Sequence, residues 1–407
     1  MLNQISGGVC AAKGFTAAGV HCGVKAGSSP DKNDLALILS EKECAAAATY
    51  TMNRVKAAPL YVTMDHLENG VAWGVVANSG NANACCPQSH ENAEAMSASA
   101  AAATGREPGD FVVASTGVIG QTINISAIQA GLPQAAAALS ADGSDAAAHA
   151  IMTTDTVKKE IAVSLTIGGK EVRLGAIAKG SGMIHPNMGT MLAFITTDCA
   201  ITHEMLSDAL HEVVARTFNR VTVDGDTSTN DMCVVLANGM AGNSLIEWKD
   251  QDYETFLAAL EEVCRYLSRA IAGDGEGASK LVTCKMHGAR SEESAERLAK
   301  AVVGSSLVKA AMFGADANWG RVLCAMGYSK APFRPEHVDV SFCSQVGSIL
   351  VCKQGDGVDF DEDKAKTILT EKEVIIDVDL HEGDESAECW GCDLTYDYVK
   401  INGDYRT

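Results

Sequence analysis

Aromatic side chains and positive charge are what this 407-residue sequence has least of. Phe, Trp and Tyr make up 5% of it, too few for the stacking platforms that hold single-stranded nucleic acid. Lys and Arg total 32 against 52 Asp and Glu, a net charge of −20, which disfavours general binding to nucleic acid or an anionic membrane. No apolar run approaches the roughly 18 residues of a membrane span. No basic segment leads into a continuous apolar stretch at the N-terminus, so no signal peptide is expected. These absences point to a cytoplasmic protein with neither nucleic-acid nor membrane partners. The phosphate loop G-x-x-x-x-G-K-[ST] and the G-x-S-x-G elbow are also missing. The ten His show no i, i+4 pair. Asp224-Gly-Asp226 begins like a calcium loop, but Thr229 stands where that loop needs Gly and Val235 where it needs Glu. Cys85-Cys86 has no His at metal spacing, so no metal site is expected.

What the chain does have is 47% hydrophobic residues, 38 Gly and 14 Cys. The hydrophobic content supports a sizeable core and excludes wholesale disorder. The length suggests two or three domains or one large α/β body. The cysteines are too sparse for a stapled secreted fold. Cys199, Cys233, Cys264, Cys284, Cys324, Cys343 and Cys352 lie in apolar surroundings and read as buried reduced thiols. Cys389-Trp-Gly-Cys392 has redox-motif spacing but lies in a strand-like run with no following helix.

Residues 1–90 read as short strands and turns. Helices are expected over 91–103, within 132–149, over 253–271 and over 292–303. The strongest is 253–271, where Phe256, Leu260, Val263, Leu267 and Ile271 line one face. The Gly-rich stretch 273–277 ends it. Residues 160–178 read as a hairpin turning at Gly168-Gly169. Further strands are expected at 191–197, 220–223, 281–286, 338–342, 373–378 and 392–398. No repeat or low-complexity linker appears. The pattern is α+β or layered α/β with antiparallel pairing, not a regular βαβ series.

Two segments carry chemistry. In residues 176–198 a Gly/Ser/Pro loop enters a strand directly after Gly189-Thr190. Either this is an ordinary strand start, or cleavage before Thr190 exposes a Thr whose own α-amine is the base for its hydroxyl. In residues 111–120 a strand runs into Ser115-Thr116-Gly117. That turn either simply reverses the chain or aims N–H and hydroxyl donors at an oxyanion.

The joint pattern is more specific. ASTGVIG at 114–120, MTTDT at 152–156, AKGSGMIHPNMGTML at 178–192, VDGDTSTND at 223–231, GDGEGASK at 273–280, FGADANWGR at 313–321 and the terminal DLTYDYVKINGDYRT run in order over nearly the whole chain. Together they closely resemble the glutamate N-acetyltransferases of arginine biosynthesis, also called ornithine acetyltransferases. The resemblance implies a layered αβ sandwich of that family's own, N-terminal-nucleophile-like kind. It implies self-cleavage between Gly189 and Thr190 into an α chain (1–189) and a β chain (190–407), the latter with a C-terminal α/β portion from about residue 280. It makes Thr190 the nucleophile and Thr116 and Gly117 the oxyanion pair. Substrate contacts fall on Thr153 (or the adjacent Thr154), Lys179, Thr190, Glu276, Asn402 and Thr407. The implied reaction moves acetyl from N-acetylornithine to glutamate without metal or organic cofactor, with acetyl-CoA as a further donor in some members and an α2β2 assembly. Read alone, Lys179 is equally a solvated strand-end lysine and Glu276 a helix-end loop acid. A self-cleaving N-terminal-Thr aminopeptidase or amidase is the alternative. Cys85-Cys86 stands where the family pattern has Thr and Gly, and touches no catalytic role.

Overall fold

The computed structural model describes residues 2–25, 27–185 and 191–404. The chain forms two compact units. One comprises Met1–Gly180, Pro186–Asn219 and Thr227–Leu267, the other Ser181–His185, Arg220–Asp226 and Ser268–Thr407. Each mixes helices with its own sheet, which is the α/β class expected.

The first unit is built on β1 (Asn3–Ile5), β2 (Phe15–Val20), β3 (Leu35–Tyr50), β4 (Val71–Asn78), β5 (Phe111–Ser115), β6 (Lys159–Ile167), β7 (Lys170–Lys179), β8 (Leu192–Thr197) and β9 (Met232–Ala237). Their order is β1-β6-β7-β8-β9-β3-β4-β5, and β2 pairs with β3 off that path. Successive residues of a strand face opposite sides. Leu35 and Leu37 of β3 join a cluster with Phe111, Val113, Met96, Ile128 and Leu132, under the helices Ser89–Thr104 and Ile125–Ala137. Ala36 and Ile38 join a second cluster with Val112, Phe194 and Val234. A sheet covered on both faces takes apolar residues on both sides of its strands, so β3 does not alternate on either side of its exposed Glu41-Lys42-Glu43. For this reason residues 1–90 do not hold only short strands. They contain the 16-residue β3 and the helix Ala58–His66.

The β6–β7 hairpin turns at Gly168-Gly169 as expected, both glycines being left-handed. Beyond it, β7 pairs antiparallel with β8 from Leu174↔Thr197 to Lys179↔Leu192. β8 runs parallel to β9, and β9 pairs antiparallel with β3. Strands on both sides of the Gly189–Thr190 bond therefore share one sheet. Cutting that bond would leave the β7–β8 and β3–β9 ladders intact.

The second unit has β10 (Leu281–Ala289), β11 (Asp339–Ser344), β12 (Gly347–Lys353), β13 (Asp356–Gly357), β14 (Glu373–Asp379) and β15 (Glu385–Cys392), in the order β13-β12-β11-β14-β10-β15. Only β10 and β14 run parallel. The helix Glu292–Gly304 packs Leu298 and Val302 against Val282, Cys284 and Ile376. The amphipathic helix expected at 253–271 is Gln251–Gly273.

Two expected strands fail. Residues 220–223 form only an isolated bridge, Val221 to Trp390, because the Val223 N–H donates to the Ile184 carbonyl instead of a sheet neighbour. The run 392–398 leaves the sheet at Cys392. There Asp393 turns its carboxylate onto the N–H groups of Ser279 and Lys280, and a helix, Tyr396–Gly403, follows. All fourteen cysteines are free. Burial pushes the thiols of Cys44 and Cys199 up to about 12 and raises those of Cys233, Cys264 and Cys284 well above the ordinary thiol value, so they stay protonated. Cys324 departs from the expectation. It is exposed on the outer face of the helix Trp319–Gly327.

Candidate active site

In the first unit, β5 ends at Ser115 and the chain turns through Thr116 and Gly117. Gly117 has φ +135°, and a Cβ there would lie 2.3 Å from the carbonyl carbon of Gly80 and 2.5 Å from the N of Asn81. Both the conformation and the space demand glycine. The asparagine-rich loop after β4 holds this turn. The Thr116 N–H donates to the Asn78 carbonyl (3.0 Å), and the Ser115 hydroxyl donates to Asn78 Oδ1 (2.6 Å). Asn230, also buried, donates from Nδ2 to the carbonyls of Ala82 (2.7 Å) and Ser115 (2.8 Å). Buried amides that meet backbone carbonyls leave the turn little freedom to deform.

Lys179 closes β7 and is only 8% exposed, so it is not a solvated strand-end lysine. Its Nζ donates to Thr116 Oγ1 at 3.2 Å. Asp155 lies in the same cluster. Its Oδ1 accepts from the Lys159 ammonium and the Gly180 N–H, both at 2.7 Å, and its Oδ2 accepts from the Thr153 N–H at 3.1 Å. The Asp155 and Lys159 side chains are fully enclosed. Burial opposes the Asp155 charge, but the attraction of Lys179 and then Lys159, with these hydrogen bonds, holds its carboxyl down at about 2. The Thr153 carbonyl accepts from Lys32 Nζ at 3.2 Å. Thr116, Gly117, Thr153 and Lys179 are thus brought together.

In the second unit Glu276 is buried on the loop after the helix Gln251–Gly273. Its N–H donates to the Ser181 carbonyl at 3.0 Å, and its Oε2 accepts from Asn402 Nδ2 at 2.7 Å. It is therefore no solvated loop acid. A side chain on Gly182 would meet this carboxylate at 2.3 Å. The terminal helix reaches the loop because Gly277 is left-handed and has no Cβ. A Cβ would come 2.6 Å from the N of Tyr398. The Thr395 hydroxyl donates to the Gly277 carbonyl at 2.6 Å. Glu276 and Asn402 are thus paired. Residues 183–185 are held by Asp224, whose carboxylate accepts from the N–H groups of Met183 and Ile184, and by Thr222, 3.0 Å from His185 Nδ1. Burial and then Lys300 push the His185 imidazole down to about 4, against the pull of Asp226.

Gly189, Thr190 and Thr407 lie outside the described residues. Thr154 has no hydrogen bond to this cluster among those described, whereas the Thr153 N–H does. Sequence reasoning missed Asp155, Lys159 and Asn230. Asp155 and Lys159 stand at i, i+4, a spacing that hinted at a pair only in a helix, and they are not in one. Among the described residues, no group of three or more His, Cys, Asp or Glu could hold a metal ion. No described helix is long and apolar enough to cross a membrane.

A model of the ArgJ family matches residues 16–407. The chain is 52% identical over 407 residues to the arginine biosynthesis bifunctional protein ArgJ of Symbiobacterium thermophilum, covering all of both chains. It is 50% identical over 394 residues to ArgJ 1 of Clostridium acetobutylicum, covering 97% of this chain and 96% of that one. A crystal structure of ArgJ from Bacillus halodurans aligns with a TM-score of 0.50 at 46% identity, over 52% of this chain and 97% of that one.

Proposed function

Because this chain belongs to the ArgJ family of arginine-biosynthesis proteins, we propose that it transfers the acetyl group of N2-acetyl-L-ornithine to L-glutamate through an acetyl ester on Thr190. The observation that carries this reading is the Lys179 ammonium on the Thr116 hydroxyl beside the glycine-only turn at Gly117. Thr116 Oγ1 accepts from Lys179, so its own proton is available to another acceptor. The developing oxyanion of an acyl transfer is such an acceptor, and one donor of this kind contributes roughly 3–4 kcal/mol.

In the cycle, the Thr190 hydroxyl attacks the acetyl carbonyl carbon and gives its proton to the Thr190 α-amine. Thr116 and Gly117 stabilise the oxyanion. The amide C–N bond breaks, the α-amine returns the proton to the leaving nitrogen, and ornithine departs. The amine of glutamate then attacks the ester by the same steps in reverse, giving N-acetylglutamate and free Thr190. Lys179 is assigned to the substrate α-carboxylate, with Thr153 beside it. Glu276 is assigned to the ornithine side-chain ammonium and is oriented by Asn402. Thr407 completes the contact set. The scheme uses no metal or organic cofactor.

Thr190 becomes N-terminal by cleavage of the Gly189–Thr190 bond, and the fragments stay joined by the β7–β8 and β3–β9 ladders. A related crystallised chain that corresponds to about half of this one supports a two-chain mature enzyme. Two such heterodimers form an α2β2 particle in the cytoplasm. The relatives' designation as bifunctional supports acetyl-CoA as a second acetyl donor to glutamate.

Intact mass spectrometry with N-terminal sequencing tests the cleavage. Fragments of 189 and 218 residues are expected, the second starting at Thr190, and Thr190→Ala gives one uncut, inactive chain. Two chains in that variant would remove Thr190 from the scheme. Ornithine release that needs glutamate identifies a transferase, whereas equal release without it identifies a hydrolase. Acetylation of glutamate by acetyl-CoA alone tests the second donor, and light scattering tests the assembly.

A further inference from the structure

Asp155 takes no part in the chemistry above, yet its carboxylate joins residues assigned to that chemistry. It accepts from the N–H of Thr153 and from the N–H of Gly180, the peptide next to Lys179. The enclosed Lys159 ammonium neutralises it at 2.7 Å. The Asp155 and Lys159 side chains are closed to water, and the buried Lys179 stands in the same cluster. A buried ion pair is seldom a gain over a hydrophobic pair of the same volume. What it does supply here is direction. Lys159 and two peptide N–H groups fix the carboxylate, and through the Gly180 N–H the carboxylate anchors the backbone next to Lys179, whose Nζ lies 3.2 Å from Thr116 Oγ1.

We infer that Asp155 is a positioning residue. It holds Lys179 so that its ammonium occupies Thr116 Oγ1 as a donor, which turns the Thr116 proton outward to the oxyanion. The role rests on the acetyl-transfer reading and adds to it a residue that acts only through Lys179 and Thr116.

A double-variant cycle of Asp155→Asn and Thr116→Val, read as kcat per cleaved enzyme for glutamate-dependent ornithine release, tests it. If the wild-type enzyme has no such activity, the transferase reading falls and this inference with it. If wild type is active and Thr116→Val lowers kcat by about a hundredfold, the cycle decides. Asp155→Asn then lowers kcat by about tenfold or more when Thr116 is present, but by less than about threefold in the Thr116→Val background. Its effect on KM is the smaller one, and Asp155→Glu, which keeps the charge, recovers part of kcat. Equal losses in both backgrounds overturn the inference, since a general structural role is blind to Thr116. Where Asp155→Asn folds poorly, Asp155→Asn with Lys159→Met removes both opposite charges and carries the same cycle. If the paired variant folds with wild-type kcat, or if neither variant yields folded, cleaved protein, Asp155 is not a positioning residue.

Discussion

The two units hold buried charge of opposite sign by different means. In the first, Lys179 sits at a strand end, and its countercharge Asp155 is gripped by Lys159 and by two backbone N–H groups. In the second, Glu276 sits on a loop and is met by the neutral amide of Asn402, from a short helix near the chain end. A charge fixed by a sheet and a countercharge can hold a rigid geometry, which suits transition-state stabilisation. A charge fixed by one amide is easier to shift, which suits binding. The contrast predicts that changes at the Thr116–Gly117 turn and its supports strike rate, and that changes at Glu276 and Asn402 strike affinity.

The largest effect is expected at the turn. Gly117→Ala drives a methyl into Gly80 and Asn81, and activity should fall by at least about a hundredfold, as for loss of an oxyanion donor, with a lower melting temperature. Normal kinetics and melting in that variant would break the account of the first unit. Next, Glu276→Gln keeps the shape and removes the charge. It should raise KM for N-acetylornithine by about tenfold, the scale of one charged hydrogen bond, while kcat stays nearly unchanged. A matching fall in kcat would erase the distinction between the units. Asn402→Ala should act in the same direction with a smaller effect, about two- to fivefold in KM. Steady-state kinetics with both substrates varied reads all three.

Acid separates the units most finely. The Asp155 carboxyl is held at about 2 against an ordinary 3.8. Its contribution is whole above pH 3.8 and drains away as pH falls toward 2, amounting to about 2 kcal/mol. The His185 imidazole is held at about 4 against 6.5. As pH falls from 6.5 to 4 the unfolded chain takes up a proton that the folded one refuses, so stability declines in that window. Amide protection factors, taken relative to intrinsic exchange at each pH, should therefore fall around residues 181–185 and 220–226 between pH 6.5 and 4, and around Asp155 only below pH 3.8. The reverse order would contradict the environments described for these two groups.

Much of this was legible in the sequence because it was local. The stripe from Phe256 to Ile271 has one solution, a helix with that face inward. Gly168-Gly169 between two alternating runs has one solution, a hairpin. The ordered motifs identified the family, and the nine residues they pointed to for catalysis, cleavage and substrate contact are named by the motifs alone. Thr116, Gly117, Thr153 and Lys179 do meet in the first unit, and Glu276 meets Asn402 in the second.

Tertiary structure decided the rest. The length of β3 was hidden because its buried stretches lack the alternation by which strands are read, and exposed Glu41-Lys42-Glu43 interrupts them. The switch from strand to helix after Cys392 depends on Asp393 finding the N–H groups of Ser279 and Lys280, more than a hundred residues away. Asp155 shows the same limit. Its sequence neighbours give it no special character, and its importance arises only when β6 and β7 bring Lys159, Lys179 and Gly180 around it. Local pattern selects elements and motifs, because it reports the periodicity and chemistry of adjacent residues. Which charge is enclosed, and what it is enclosed with, is set by contacts between distant residues, and only the folded chain contains those.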